Sequence, residues 1–164
     1  MDRLRRRLTL RDGLLWFVLS TLVVLENVAM GDAGAPWWQT SVAVLAIAVA
    51  VLSRRSRPLS SLAIAVTLTL AQLLQSMLTT GPVAVAYVVV LSVLSYLAGR
   101  RADRVRVFIA IVVVGDLLLL GLGLPARGSV AVTEAVLGWL LLTVASLIFL
   151  VLPWLLGRYR RLHA

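Results

Sequence analysis

Cysteine and lysine are both missing from this chain of 164 residues, and histidine occurs once, at His163. Without Cys there is no disulfide, no thiol catalysis and no thiolate metal site, and the redox compartment stays open. A single His, next to the last residue and inside a basic tail, provides neither a Ser/His/Asp set nor a His-based metal site; it reads as a solvated tail residue. Charge is scarce as well, at 14% of residues against about a quarter in a soluble domain. No Gly-rich phosphate loop is present. The expectation is a chain that is not an enzyme by itself, with no catalytic residue, no metal and no cofactor.

What is present is apolar. The chain is 61% hydrophobic with a mean hydropathy of +1.00, which leaves little material for a soluble domain. The net charge of +9 would suit nucleic acid on a soluble protein, but the basic residues cap apolar segments instead of tiling one face. Anionic lipid headgroups are the better partner, at about 1 kcal/mol for each juxtamembrane Arg.

All sixteen basic residues are Arg. Fifteen fall in four clusters: 3/5/6/7/11, 54/55/57, 100/101/104/106 and 158/160/161. Only Arg127 lies in another gap. Clusters in every second gap between apolar blocks follow the positive-inside rule. The expected architecture is all-α and integral to the membrane: a six-transmembrane-helix bundle with short loops, both termini cytoplasmic, in the cell membrane. The spans run about 13–30, 37–52, 59–78, 83–98, 107–124 and 130–156, as one domain. Crossing ~30 Å of hydrocarbon takes about 20 helical residues, so the second and fourth blocks are marginal and need flanking residues or local thinning. Short connections make consecutive helices antiparallel neighbours. A cleaved signal is the rival reading of the first block, from Arg5-Arg6-Arg7 and Ala33-Gly34-Ala35. Pro36 after the scissile bond and Glu26 and Asn27 within the run count against it.

Aromatic residues mark depth. Trp16, Tyr96, Trp154 and Tyr159 fall at the expected inner interface and Trp37 and Trp38 at the outer one, while Trp139 packs between helices. Inside the spans the ionisable residues are Glu26, Asp116 and Glu134, each costly in hydrocarbon. On the third span Thr69, Gln72, Gln75, Ser76 and Thr79 recur at helical spacing on one face. Glu26, Asn27, Gln72, Gln75, Ser76, Asp116 and Glu134 all lean to the outer half, so together they form a candidate signal or ligand pocket. The plainer alternative is that the third-span residues bond a neighbouring helix, each for about 0.6 kcal/mol, and that Glu134 is a wet first-turn carboxylate. Ala46/Ala50 and Ala131/Ala135 permit close helix contact.

The order and spacing of several short motifs carry a resemblance. Arg11-Asp12-Gly13-Leu14-Leu15 opens the first helix and Pro36-Trp37-Trp38 the second. Arg54-Arg55-Ser56-Arg57-Pro58-Leu59 joins the second and third, Gly99-Arg100-Arg101 follows the fourth, and Leu156-Gly157-Arg158-Tyr159-Arg160-Arg161-Leu162 closes the chain. Over essentially its whole length the chain resembles the membrane-embedded N-terminal domain of actinobacterial two-component sensor histidine kinases, whose partners are LuxR-type response regulators. The resemblance implies a sensory input domain, a homodimer, and a last span continuing into a kinase module. The sequence stops at Ala164 before any phosphoacceptor or ATP-binding motif, and His163 is not the phosphoacceptor. In this reading the signal leaves through the sixth helix: Pro153 removes one backbone hydrogen bond and hinges the exit, while Trp154, Arg158, Arg160 and Arg161 anchor it. Two other readings stand beside it. One is a small transporter or immunity-type membrane protein for a cation or amphiphile, using Asp116 and Glu26; the other is a structural subunit of a membrane complex.

Overall fold

A computed structural model describes residues 10–31, 35–79, 84–102, 104–123, 137, 140–141 and 143–163. The described residues form helices and no strand. In chain order these are α1 (Leu10–Met30), α2 (Trp37–Ser53), α3 (Pro58–Thr79), α4 (Val85–Gly99) and α5 (Val105–Gly123). A π-helical turn (Leu147–Val151) then leads directly into α6 (Leu152–Leu162). Boundaries lie within a few residues of the expected spans except at the last one. There the helix runs through Gly157 to Leu162 instead of ending at Leu156, because Gly157 serves packing and does not stop the helix.

Among the described residues, three helical stretches are long and apolar enough to cross a membrane: Arg11–Met30, Pro58–Ser76 and Thr143–Leu162. Trp37–Ser53 and Val85–Gly99 are apolar but shorter. The outward faces of the bundle are themselves apolar. On α2, Val42, Leu45, Val49 and Leu52 repeat at three- and four-residue steps and are all exposed. Large apolar residues turned outward in such ridges suit lipid as the surrounding medium, not water.

The best-buried side chains, Ile47, Val51, Leu62, Val90 and Leu94, come from α2, α3 and α4. The shortest of these helices, α4, is the centre. Its buried residues are Ala86, Tyr87, Val90, Leu91, Leu94, Ser95, Ala98 and Gly99, a stripe repeating in pairs every four positions. It packs against α1, α3, α6 and the π-turn. Because so many of these positions are Ala, Ser or Gly, neighbouring backbones come close.

The arginine-rich gaps meet at one end of the bundle. Asp12, in the first turn of α1, is 2% exposed. It accepts Arg54 Nε at 2.9 Å, pairs with Arg54 Nη2, and pairs with Arg55 Nη2 at 2.8 Å. This ties the α2–α3 turn to the start of α1. Arg101 Nη1 reaches the Arg54 carbonyl at 3.4 Å and brings the α4–α5 connection to the same place. Partial burial, then the charges of Arg54 and Arg55, hold the Arg101 guanidinium below the ordinary arginine range, with Asp12 acting in the opposite sense.

Candidate functional site

The expected polar pocket divides into two places. At the end opposite the arginines, Glu26, Asn27 and Gln72 line a cavity of about 10 Å³ together with Thr40 and Tyr87, room for one water at most. Glu26 already has a structural task. Its two carboxylate oxygens accept the backbone N–H groups of Val85 at 2.7 Å and Ala86 at 2.6 Å. The residue preceding α4, Ala84, has no side chain able to cap it. A carboxylate from α1 therefore caps α4 across the bundle, where both the free N–H groups and the helix dipole favour negative charge. Glu26→Ala is expected to cost about 1–2 kcal/mol, and Glu26→Gln, which keeps one acceptor, about half of that. Unfolding titration in mixed micelles measures both; equal stability of wild type and Glu26→Ala would remove the capping role.

The second place is an apolar cavity of about 210 Å³ between α3, α4, α5 and the Thr143–Val151 stretch. Asp116 lines it, with Thr69 and Ser146 as further polar groups and Val66, Leu73, Leu91 and Val112 among its apolar walls. Asp116 Oδ1 accepts the Thr143 hydroxyl at 2.9 Å. The Thr69 hydroxyl returns to the Ala65 carbonyl at 2.9 Å, so it is largely satisfied within its own helix. A cavity of this size lies below the ~300–1,000 Å³ of drug-sized sites. It exceeds the ~150 Å³ apolar cavity that takes benzene, so it suits a short chain or a single ring. Gln75 and Ser76 are half-buried on α3 and line neither cavity. Glu134, with Arg127 and Trp139, lies outside the described residues.

The 210 Å³ cavity abuts the start of the exit helix, since Phe149 and Leu150 of the π-turn form part of its wall. Pro153 has no N–H to offer the Phe149 carbonyl four residues back, and the chain accommodates this by widening: the Leu152 N–H bonds the Leu147 carbonyl, five residues back. Two hydroxyls on α4 attend the widened turn. Ser95 Oγ donates to the Leu150 carbonyl at 2.5 Å. Ser92 Oγ lies 3.0 Å from the Phe149 carbonyl and 2.9 Å from the Val88 carbonyl, and its one proton serves either. Below them the backbones nearly touch. A Cβ built on Gly99 would fall on the Trp154 carbonyl oxygen, and one on Gly157 would fall on the Tyr96 carbonyl oxygen. Thus α4 and α6 run side by side in the same direction, joined by hydroxyl-to-carbonyl bonds at one level and by glycine contacts at the next.

The expected anchor residues take different roles. Trp154 is 3% exposed, so it does not belong to an interfacial belt. Its ring stacks on Phe108 of α5 with centroids 4.1 Å apart and 7° between planes. The stack on Phe108 is what covers the ring, while the Trp154 backbone carbonyl lies against Gly99 of α4. Arg158 sits 5.4 Å over the same ring, a cation–π contact. Arg160 Nη1 reaches the Tyr96 hydroxyl at 3.4 Å. Arg160 and Arg161 occupy the last turn of α6, where cations suit the helix dipole. Trp37 and Trp38 are exposed, and Trp16 Nε1 donates to the Val44 carbonyl at 3.3 Å. His163 is exposed and stacks on Tyr159 at 4.1 Å.

Asp12, Ser92, Ser95, Gly99 and Gly157 are the positions that sequence reasoning passed over. The Ser95/Gly99 step on one helix face carried a usable signal, because small residues four apart mark close helix contact. Standing beside arginines at the ends of two spans, Gly99 and Gly157 gave no hint of the seam.

A family model described as "Domain of unknown function (DUF7134)" matches residues 1–163, and the chain belongs to that family. No curated protein and no solved structure matches it.

Proposed function

We propose that this member of the family is a membrane-embedded input domain of six spans, multi-pass in the cell membrane, with both termini cytoplasmic. In this reading it works as a homodimer, as the domains of the sensor histidine kinases it resembles would, and passes an envelope or lipid-phase signal to the cytoplasmic side through α6. The observation that carries the reading is the contiguity of the Asp116 cavity with the π-turn. A ligand entering the cavity meets Phe149 and Leu150, whose carbonyls are the ones Ser92 and Ser95 approach. Occupancy therefore bears on the contact that sets α6 against α4. A π-turn tolerates such a change because its hydrogen bonds are already displaced from α-helical spacing.

The cavity chemistry narrows the stimulus to a small apolar or cationic amphiphile. The apolar part fits the cavity, and a cationic group meets Asp116. The test is a fusion of the chain to a histidine kinase module, with autophosphorylation read in vesicles against a short-chain alkylamine. The amine is expected to shift output, and Asp116→Asn to raise the concentration needed by about tenfold or more, the worth of a charged hydrogen bond. Output that ignores the amine, or an unchanged response in Asp116→Asn, would defeat the assignment. Amine uptake by the unfused chain that Asp116→Asn abolishes would instead favour the transporter reading. That reading has less support, since Glu26, its second carboxylate, is engaged in capping α4.

A further inference from the structure

A second cleft opens at the arginine-rich end, away from the Asp116 cavity. It has a volume of about 820 Å³ and lies against α4, with α1 on one side and α6 on the other. Its polar rim includes Arg11, Arg54, Arg55, Arg100 and Arg101. Among the described residues Asp12 is the one carboxylate at this end, and it is already paired to Arg54 and Arg55. Towards the middle of the bundle the walls turn apolar, with Leu14 and Val18 from α1, Leu97 from α4, and Pro153 and Leu156 from α6. Burial first, and then the charges of Arg54 and Arg55, lower the proton affinity of Arg101 at this rim.

A basic rim above an apolar trough, both facing lipid, complements one kind of molecule. We propose that this cleft holds an anionic phospholipid, its phosphate on Arg11, Arg100 and Arg101 and an acyl chain between α1 and α6. A free phosphate would satisfy the rim and leave the trough empty; an uncharged lipid would do the reverse. Basic pockets between membrane helices are a recognised setting for such headgroups. The bound lipid would act as a removable spacer between the first helix and the last, since Pro153 and Leu156 of α6 form one of its walls. Binding stands independently of whether α6 carries a signal, so it goes beyond the function proposed above and can fail or succeed without it.

The purified full chain in phosphatidylcholine nanodiscs, titrated with phosphatidylglycerol and read by native mass spectrometry, tests the site. One retained phosphatidylglycerol per chain is expected. The Arg11→Gln, Arg100→Gln pair should weaken retention about 30-fold, taking each arginine at its usual juxtamembrane worth. Val18→Trp, which fills the trough and leaves every charge in place, should also displace the lipid; Leu156→Trp serves should Val18→Trp not fold. Arg57→Gln with Arg104→Gln removes the same charge outside the cleft and should change retention less than about 3-fold. Equal loss in that control pair would reduce the effect to diffuse attraction and overturn the site. Full retention in the trough-filling variant, or displacement of the lipid by millimolar inorganic phosphate, would overturn it too.

Discussion

Gly99→Leu and Gly157→Leu are each expected to destabilise the protein by about 3 kcal/mol or more, at the upper end of overpacking costs. The obstacle to each new Cβ is a backbone carbonyl, of Trp154 in one case and Tyr96 in the other. A side chain can rotate away from a clash, whereas a carbonyl moves only if its helix moves. Relief therefore means separating α4 from α6, which also removes the Ser95 bond to Leu150 and unseats Trp154 from Phe108. Gly13→Ala makes the matched control. Nothing lies within 4 Å of a Cβ at that position, so the helix-propensity gain of about 0.5–1 kcal/mol should emerge undiminished. Unfolding titration in bicelles measures all three. Wild-type stability in both leucine variants would mean that the two backbones do not approach as described.

The second large effect concerns Asp12. Asp12→Ala leaves Arg54, itself a buried side chain, without its counter-charge and beside Arg55 and Arg101. Removing one partner of a buried ion pair costs about 3–5 kcal/mol. The lower figure is expected, since the pair sits at the end of the bundle and a long arginine can reach back towards water. The double variant Asp12→Leu, Arg54→Leu should recover most of the loss, because two apolar residues of suitable volume carry no unpaired charge. The same titration reads this cycle. A single variant that loses less than about 1 kcal/mol, the range of exposed pairs, would show that Asp12 is not the tie between α1 and the α2–α3 turn.

The helical segments were legible because each rests on a local rule. Apolar runs of the right length and arginine clusters at their ends sufficed to place the first five helices to within a few residues. The roles of polar residues were less legible, and Glu26 shows why. In the sequence it is a carboxylate within an apolar run, a pattern shared by ligand sites and structural caps alike. Which it is depends on Val85, 59 residues away, whose N–H points at it. Asp116 and Glu26 leaned to the same side of the expected bundle and so read as one pocket, yet rotation of their helices sets them in separate cavities. Periodicity reports which residues share a face on one helix; it does not report which faces meet.

The same limit governs the exit helix. Pro153 signalled a break in hydrogen bonding, which is a local property of the imide ring. Its consequence, a π-turn whose carbonyls are approached by Ser92 and Ser95, required α4 to be the neighbour. Trp154 beside three arginines has the composition of an interfacial anchor, yet its ring is buried against Phe108, far away in the chain. Helices with apolar middles, and arginines gathered at alternate ends of the apolar runs, could be read from the sequence, since those features follow from backbone hydrogen bonding and the cost of placing charge in hydrocarbon. The tertiary structure decided which helix became the centre, which carboxylate caps and which faces a cavity, and where two backbones touch. Those outcomes depend on pairs of residues far apart in the chain, and no single segment carries the energy of a pair.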